Sequence, residues 1–285
     1  MAWKYAVFTV MCPELDLEET AALAASLGFD GLEWRVAEKA PEAITEIDYW
    51  SGNRATVDVD DLDADLARAK QIAGRHGLAM PILGTYMKCD QLEMVETAMR
   101  AAAVVGCPKL RVGPPAYDGS RSYQELFDQA VHDYEKVAAL ASNYGVQACL
   151  EMHMGNITPS AGLAHRLVSH FDPAHIGVIV DPGNMVVEGF ENYQMALELL
   201  GHYASHIHAK NCIWIKTGEQ DSVAKWEWGM APIRHGQADW SAVVAALKKA
   251  GYEGWLSFED FSEGDTRAKL ADGLGYLKEL EAAVS

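Results

Sequence analysis

Residues 177–183 read GVIVDPG, a short apolar run that ends in an aspartate followed by a Pro-Gly turn. A run of this length, closed by turn residues, is typical of a buried strand. Three further segments share the arrangement of a short apolar run with an ionisable residue at its end: ACLEMH (148–153), SHIHAKN (205–211) and WLSFED (255–260). The chain is therefore predicted to contain at least four buried strands that each end in such a side chain.

One cycle repeats along the chain: a short apolar strand, a polar loop, a segment of helical period and a glycine. The glycines that close the helical segments are Gly28, Gly77, Gly106, Gly145 and Gly251, as expected for residues just beyond a helix. Strands are predicted near 5–10, 31–35, 80–86, 109–113, 146–152, 176–181, 204–210 and 255–259. Eight strands alternating with helices predict an α/β fold, a (β/α)8 TIM barrel. The alternative, a doubly wound open sheet, would carry a glycine-rich phosphate fingerprint after its first strand, where VMCPELDLEE has no glycine.

The composition is that of an ordinary globular protein, with 285 residues of which 49% are hydrophobic and 22% charged. No linker or composition shift marks a boundary, so residues 1–285 are predicted to form a single domain. A formal net charge of −18 disfavours nucleic acid as a partner, because an acidic surface repels phosphodiesters. The sequence has no signal-like N-terminus, no long apolar span and no C-x-x-C pair, which predicts a cytoplasmic protein with free thiols and no membrane association.

Four residues stand at the carboxyl ends of their predicted strands: Glu151, Asp181, His208 and Glu259. In a barrel these ends meet at one mouth, where catalytic groups are found. Buried charges are costly unless they are compensated. A divalent cation would compensate them, and mixed nitrogen and oxygen ligands suit Mn²⁺, Mg²⁺, Co²⁺ or Zn²⁺. For the two glutamates, a buried salt bridge to Arg111 or Lys210 is the alternative interpretation.

The chain resembles the xylose-isomerase-like barrels, a superfamily that includes sugar epimerases, inosose dehydratases and isomerases, and endonuclease IV. The segments that carry the resemblance are LEMH (150–153), VDPGN (180–184), HIHAKN (206–211), HGQADW (235–240) and GWLSFED (254–260). The resemblance implies an enzyme that binds one divalent ion, with Mn²⁺ as the expected ion, through Glu151, Asp181, His208 and Glu259. It also implies a small-molecule sugar or polyol as the substrate.

Further side chains are expected to bind substrate beside this set. His153 and Lys210 each follow a predicted ligand by two positions, so they face the same cavity; both are candidate catalytic and substrate-binding residues, or alternatively structural ones. Arg111 and Asn184 are further substrate-binding candidates. Ketose 3-epimerases of the superfamily usually carry a histidine at the position of Asn184, and the E-x-H and H-x-K spacing looks closer to inosose-type enzymes.

The predicted reaction is proton transfer next to a carbonyl through an enediolate that the metal stabilises. Glu151 and Glu259 are the expected acid and base. Reprotonation on the other face gives an epimerase, transfer between carbons gives an isomerase, and loss of a β-hydroxyl gives a dehydratase or lyase. A non-catalytic sugar-binding barrel and an endonuclease IV-like phosphodiesterase are the remaining alternatives.

The connection from Cys212 to Asp239 is long for a barrel loop and carries Trp214, Trp226 and Trp228. Long loops of this kind are often functional, and aromatic rings stack on sugars. Trp214 is therefore a substrate-binding candidate, and the segment is expected to be either a lid or a subunit contact in a homo-oligomer. Trp50 with Arg54 forms a second candidate wall of the pocket.

Overall fold

The computed structural model describes residues 3–40, 44 and 46–284. Its short strands are built from the apolar runs noted above, several of them rich in β-branched residues that suit a pleated sheet. The strands are β1 (Lys4–Phe8), β2 (Gly31–Ala37), β3 (Thr56–Asp58), β4 (Leu83–Thr85), β5 (Lys109–Arg111), β6 (Gln147–Glu151), β7 (Ile176–Val180), β8 (Ala204–Ala209), β9 (Asn211–Gln220), β10 (Val223–Ala231) and β11 (Trp255–Phe258).

Eight of these strands close into a barrel. They pair in parallel in the order β1–β2–β4–β5–β6–β7–β8–β11, and β1 also pairs with β11. In register, Lys4 lies opposite Trp255 on one side of β1, and Ala6 lies opposite Gly31 on the other. This closure confirms the predicted (β/α)8 barrel and rules out the open sheet. The bounds of the domain at 1–285 stay a prediction.

Helices cover the outside of the barrel, and their ends follow local sequence signals. Asp16 and Ser122 form capping boxes at the starts of two helices, and glycines in the left-handed conformation follow several helix ends. The helices are α1 (Leu17–Leu27), α2 (Leu62–Arg75), α3 (Leu92–Val105), α4 (Tyr123–Tyr144), α5 (Ala161–Val168), α6 (Pro182–Glu188), α7 (Tyr193–Leu200), α8 (Trp240–Lys249) and α9 (Thr266–Ala283).

Strand alternation divides the side chains between two environments. The main apolar core, which includes Leu32, Trp34, Leu110 and Leu150, is buried between the strands and the helices. The opposite face of the same strands carries Glu33, Arg111 and Glu151 into the barrel interior, where they are also buried. The polar residues are therefore collected inside the barrel because successive side chains of a strand point to opposite faces.

Two features differ from the sequence prediction. The segment after β8, predicted to be a loop, forms the antiparallel hairpin β9–β10, and Asp221 and Ser222 take positive φ at its turn. A two-residue turn of this kind matches the twist of a hairpin, but neither residue is the glycine or asparagine that usually signals it. The second feature is β3, three residues long, which pairs with β2 beside the closed ring.

Candidate metal centre

The four residues at the strand ends converge in space. Glu151 ends β6, Asp181 directly follows β7, His208 lies in β8, and Glu259 directly follows β11. One potential ligand atom from each lies within 4.8 Å of the others, and all four side chains are buried. The structure thus brings together every residue of the predicted ligand set, and their role as ligands stays a prediction.

Glu151 is held by three neighbours. Its Oε2 lies 2.6 Å from Nη1 of Arg111, while its Oε1 lies 3.2 Å from Nδ2 of Asn184 and 3.3 Å from Nδ1 of His208. Burial alone would raise the pKa of this carboxyl, but the Arg111 guanidinium and His208 hold it well below its usual range. Glu151 is therefore ionised at neutral pH, with one oxygen facing the centre of the cluster.

Lys210 joins the other two carboxylates. Its Nζ lies 3.0 Å from Oδ2 of Asp181 and 3.0 Å from Oε2 of Glu259. Burial would lower the pKa of Lys210, but these carboxylates raise it, which is the opposite of the depressed pKa that a proton-transferring lysine needs. Burial raises the pKa of Glu259. The positive charges of Lys210 and His208 lower it, but the carboxylates of Glu151 and Asp181 raise it again, and the net shift is upward.

The two carboxylate oxygens of Asp181 have different contacts. Its Oδ1 accepts a hydrogen bond of 3.0 Å from the backbone nitrogen of Asn184 and so caps the start of α6, where Pro182 is the first residue. Its Oδ2 is buried and accepts no hydrogen bond among the described residues, although Nζ of Lys210 lies near it. A buried carboxylate oxygen that has an ion pair but no well-aligned hydrogen bond is a suitable metal ligand.

The donor set fits a divalent cation. The salt bridges from Arg111 and Lys210 that formed the alternative interpretation are both present, yet four buried carboxylates, Glu33, Glu151, Asp181 and Glu259, share the interior with these two cations. Burial would lower the pKa of His208, but the carboxylates of Glu33, Glu259 and Glu151 raise it well above its usual range, so negative charge is in excess around this imidazole. Three carboxylates and one imidazole are ligands that Mn²⁺, Mg²⁺ and Zn²⁺ accept.

Glu33 lies beneath this cluster, and no role was predicted for it from the sequence. Its Oε1 lies 3.2 Å from Nε2 of His208, and its Oε2 lies 3.1 Å from Nε2 of His206. Nε2 of His206 also lies 2.8 Å from Oγ of Ser257. Burial would raise the pKa of Glu33, but the two histidines lower it. The alternation of apolar and charged residues in LEWRV (32–36) could have identified Glu33 as an interior residue, because it places Glu33 on the inward face.

A cavity of about 520 Å³ opens over Glu151 and Glu259. The predicted residues Arg111, His153 and Lys210 line it, as does Trp50. Tyr86 and Lys88, from the loop after β4, also line the cavity and were missed, since nothing in the sequence marks a loop residue as facing a pocket. The Arg111 guanidinium stacks 4.7 Å from the ring centre of Tyr86.

Two of the predicted substrate-binding residues lie outside the lining of this cavity. Asn184 is fully buried and donates to Glu151 and to the carbonyl of Met152, so it supports the cluster from behind. Trp214 donates from its indole nitrogen to the carbonyl of Val186 at 3.0 Å, which fixes β9 against α6. The hairpin reaches the cavity through Met230 instead. Arg54 bonds to the carbonyl of Glu14 at the surface.

Among the described residues, no helix has the length and apolar character needed to cross a membrane.

The sequence matches one family model over residues 21–280, that of the xylose isomerase-like TIM barrel. Curated relatives include an inosose dehydratase from Geobacillus thermodenitrificans, 25% identical over 143 residues that cover 48% of this chain and 47% of the relative. Another inosose dehydratase, from Bacillus licheniformis, is 24% identical over 191 residues, or 65% of this chain and 62% of the relative. The matches therefore span about half of the first relative's length and under two thirds of the second's.

Solved structures share the fold over nearly the whole chain. A D-tagatose 3-epimerase-like protein has a TM-score of 0.74 at 18% identity, covering 99% of this chain and 98% of its own. A D-psicose 3-epimerase from Clostridium cellulolyticum H10, solved with D-tagatose, has a TM-score of 0.71 at 16% identity and coverages of 98% and 99%. A xylose isomerase-like TIM barrel protein from Mycobacterium smegmatis, in complex with magnesium, has a TM-score of 0.72 at 15% identity and coverages of 100% and 98%. At these identities the likeness shows the fold alone.

Proposed function

The chain belongs to the xylose isomerase-like TIM barrel family, and on that premise we propose that it is a divalent-metal-dependent sugar isomerase or epimerase. Its substrate would be a small sugar or keto-polyol, and the reaction would transfer a proton next to a carbonyl group. The observation that carries the proposal is the convergence of four ligand atoms within 4.8 Å of one another, beside a cavity of about 520 Å³. A cavity of that size accommodates a monosaccharide.

The residues that would hold the ion are Glu151, Asp181, His208 and Glu259, with Mn²⁺ as the expected ion and Mg²⁺, Co²⁺ or Zn²⁺ as alternatives. When bound, the cation would supply Lewis acidity to a substrate carbonyl and a neighbouring hydroxyl. The magnesium complex of the Mycobacterium smegmatis protein supports the choice of a divalent cation.

Glu151 and Glu259 are the two carboxylates that line the cavity, and both lie close to His208 Nδ1, at 3.3 and 3.6 Å. In the proposed reaction one of them accepts the proton from the carbon next to the carbonyl. The other returns a proton to the opposite face of that carbon, which gives an epimer. Return to the neighbouring carbon instead gives the isomer.

Three further residues are placed to hold the substrate. Lys210 lies between Asp181 and Glu259 as an ammonium group and can donate to a substrate oxygen without giving up its proton. His153 lines the cavity, and its Nδ1 lies 2.6 Å from the carbonyl of Met154, which orients the ring. Arg111 also lines the cavity, where it can contact the substrate, and it keeps Glu151 in place through their ion pair.

A dehydratase or lyase acting on an inosose or 3-keto sugar is the second candidate, because the curated relatives are inosose dehydratases. In that reaction the same carboxylate removes the proton next to the carbonyl. The bond to the β-hydroxyl then breaks, and His153 gives the leaving oxygen a proton so that it departs as water, while Lys210 assists by donating a hydrogen bond to that oxygen. The net change is loss of one water molecule, without oxidation or reduction.

The test is solvent exchange. The protein is loaded with Mn²⁺ in D₂O and incubated with a panel of ketoses, inososes and 3-keto sugars, and each recovered sugar is examined by NMR and mass spectrometry. We expect deuterium at a single carbon of one class of substrate. An isomerase or epimerase leaves the sugar's elemental composition otherwise unchanged, whereas a dehydratase yields a product lighter by one water.

The same incubation after EDTA treatment is the control, and exchange should return when Mn²⁺ is added back. A protein that binds a sugar equally well with and without the ion, and exchanges no proton in any member of the panel, would be a binding barrel instead. That outcome would overturn the proposed enzyme.

A further inference from the structure

We propose that Glu33 is a positioning residue that keeps Nδ1 of His208 free to donate its electron pair to a cation bound beside Glu151 and Glu259. The inference rests on the proposed metal function, and it assigns a role to a residue outside the four ligands. Glu33 lies on β2, on the far side of β1 and β11 from the strand that carries His208.

The two carboxylate oxygens of Glu33 contact different histidines. Oε1 lies 3.2 Å from Nε2 of His208, and Oε2 lies 3.1 Å from Nε2 of His206. The side chains of all three residues are fully buried, so water cannot replace either contact. An ionised carboxylate only accepts hydrogen bonds, and therefore each histidine must present an N–H group to it from Nε2.

The other ring nitrogen of His208, Nδ1, faces the proposed metal ligands. Beside a bound cation His208 would be neutral, and a neutral imidazole carries one N–H group and one lone pair, so an N–H at Nε2 leaves the lone pair at Nδ1. That nitrogen lies 3.3 Å from Oε1 of Glu151 and 3.6 Å from Oε2 of Glu259. A cation bound between these two carboxylates could therefore also accept the lone pair of Nδ1.

Close packing leaves the His208 ring few other orientations. The ring of Phe8 packs against the imidazole, with centroids 5.6 Å apart. Gly84 provides the space beneath, because a Cβ at that position would lie 2.3 Å from the Phe8 ring and 3.1 Å from Oε1 of Glu33. His206, held by Ser257 at 2.8 Å, fixes the second oxygen of Glu33. A carboxylate that fixes the tautomer of a metal-binding histidine also makes the imidazole a better donor.

The test compares Glu33→Gln with the wild type. Glutamine has nearly the same shape but carries no charge and presents an amide that can donate to either histidine. Chelator-treated proteins are titrated with Mn²⁺, and we expect the variant to bind about 10- to 100-fold more weakly. Asp65→Asn is the matched control, since it makes the same carboxylate-to-amide change at another buried residue, which contacts Lys39 and the backbone of Asp58 outside the cluster. It should bind Mn²⁺ as tightly as the wild type.

A second measurement reads the tautomer directly. The ring nitrogens of ¹⁵N-histidine-labelled, Zn²⁺-loaded protein are observed by NMR, with His208→Gln used to assign the signal. We expect the proton of His208 on Nε2 in the wild type. A proton on Nδ1 would overturn the inference even if Glu33→Gln failed to fold.

The outcomes separate the two proposals. If the wild type takes up neither Mn²⁺ nor Zn²⁺, the metal-dependent function is wrong and the role of Glu33 is wrong with it. If the wild type binds and Glu33→Gln binds with equal affinity, only the role of Glu33 is wrong.

Discussion

The Nη1 atom of Arg111 lies 2.6 Å from Oε2 of Glu151, and the Nε of the same guanidinium donates to the carbonyl of Thr85 at 2.8 Å. Both side chains are buried, and the guanidinium lies over the rings of Phe8 and Tyr86. The contact occupies one oxygen of Glu151 and leaves the other facing His208. The arginine therefore sets the orientation of a carboxylate that the proposed reaction needs.

Replacing Arg111 by methionine should destabilise the protein, because the buried charge of Glu151 would lose its counter-ion. Breaking a buried pair from one side costs about 3–5 kcal/mol, and we expect a loss of that size in the free energy of unfolding, measured with urea in the presence of EDTA. Arg111→Lys keeps the charge and should lose less. Equal losses in the two variants would show that shape, and not charge, is what this contact supplies.

Mn²⁺ should stabilise the wild type, because an ion that binds only the folded state shifts the equilibrium toward it. At an ion concentration one hundred times the dissociation constant, the expected gain is about 2.7 kcal/mol. Thermal unfolding with and without Mn²⁺ measures the effect. Asp181→Asn separates the capping role of Asp181 from its proposed role as a ligand. Asparagine can still cap α6 through its side-chain oxygen, but it lacks the negative charge. We expect this variant to fold and to respond to Mn²⁺ far less; a full response would exclude Asp181 as a ligand.

Lys210→Met should have opposite effects on the two forms of the protein. Without the ammonium group, Asp181 and Glu259 lose their shared counter-ion, so the chelator-treated protein should unfold at lower urea concentration. The same change removes a positive charge beside the site of the cation, and Mn²⁺ should bind on the order of tenfold more tightly. Titration calorimetry measures the affinity. Weaker binding in the variant would mean that the lysine helps to assemble the site.

Gly84→Ala should destabilise the barrel interior. The added Cβ would lie 2.3 Å from Cε2 and 2.4 Å from Cζ of Phe8, a buried ring that packs on His208. Overpacking of this kind costs about 1–3 kcal/mol, which urea unfolding would detect. Gly74→Ala is the matched control, since nothing lies within 4 Å of its Cβ position in α2. It should leave stability unchanged or raise it by about 0.4–1 kcal/mol.

Alkaline pH should destabilise the protein through its buried thiols. Burial raises the pKa of Cys107 from 9.0 to about 12, so the unfolded chain loses this proton first. The stabilisation is complete below the unfolded pKa and is lost as pH rises from 9 toward 12. Each such thiol contributes up to about 1.4 kcal/mol per pH unit. In reducing buffer, Cys107→Ala should show a shallower fall in unfolding free energy above pH 9 than the wild type; parallel curves would contradict the shift.

The order and number of the barrel strands could be predicted from the sequence because the apolar runs are short, regular and punctuated by glycine. The position of the four-residue cluster followed from the same pattern, since parallel strands of a barrel end at one mouth. The orientations of the Asn184 and Trp214 side chains could not be predicted in this way. Both lie near the site in sequence, but their hydrogen bonds to Glu151 and Val186 turn them toward the protein instead of the cavity.

The hairpin β9–β10 and the role of Glu33 were not predictable for a different reason. The hairpin is largely exposed, so it has no hydrophobic face whose period reveals it. Glu33 acquires its neighbours only through closure of the barrel, because it meets a histidine 175 positions later in the chain. A contact between residues so far apart in the chain leaves no local pattern in the sequence.

The closed ring also has a consequence for biogenesis. Glu259 follows β11, which seals the ring against β1, so a nascent chain still inside the ribosome from residue 255 onward lacks both the seal and one proposed ligand. We therefore expect metal binding to become possible only after β11 and Glu259 have left the ribosome and β11 has paired with β1, so that binding follows closure of the ring and does not start folding.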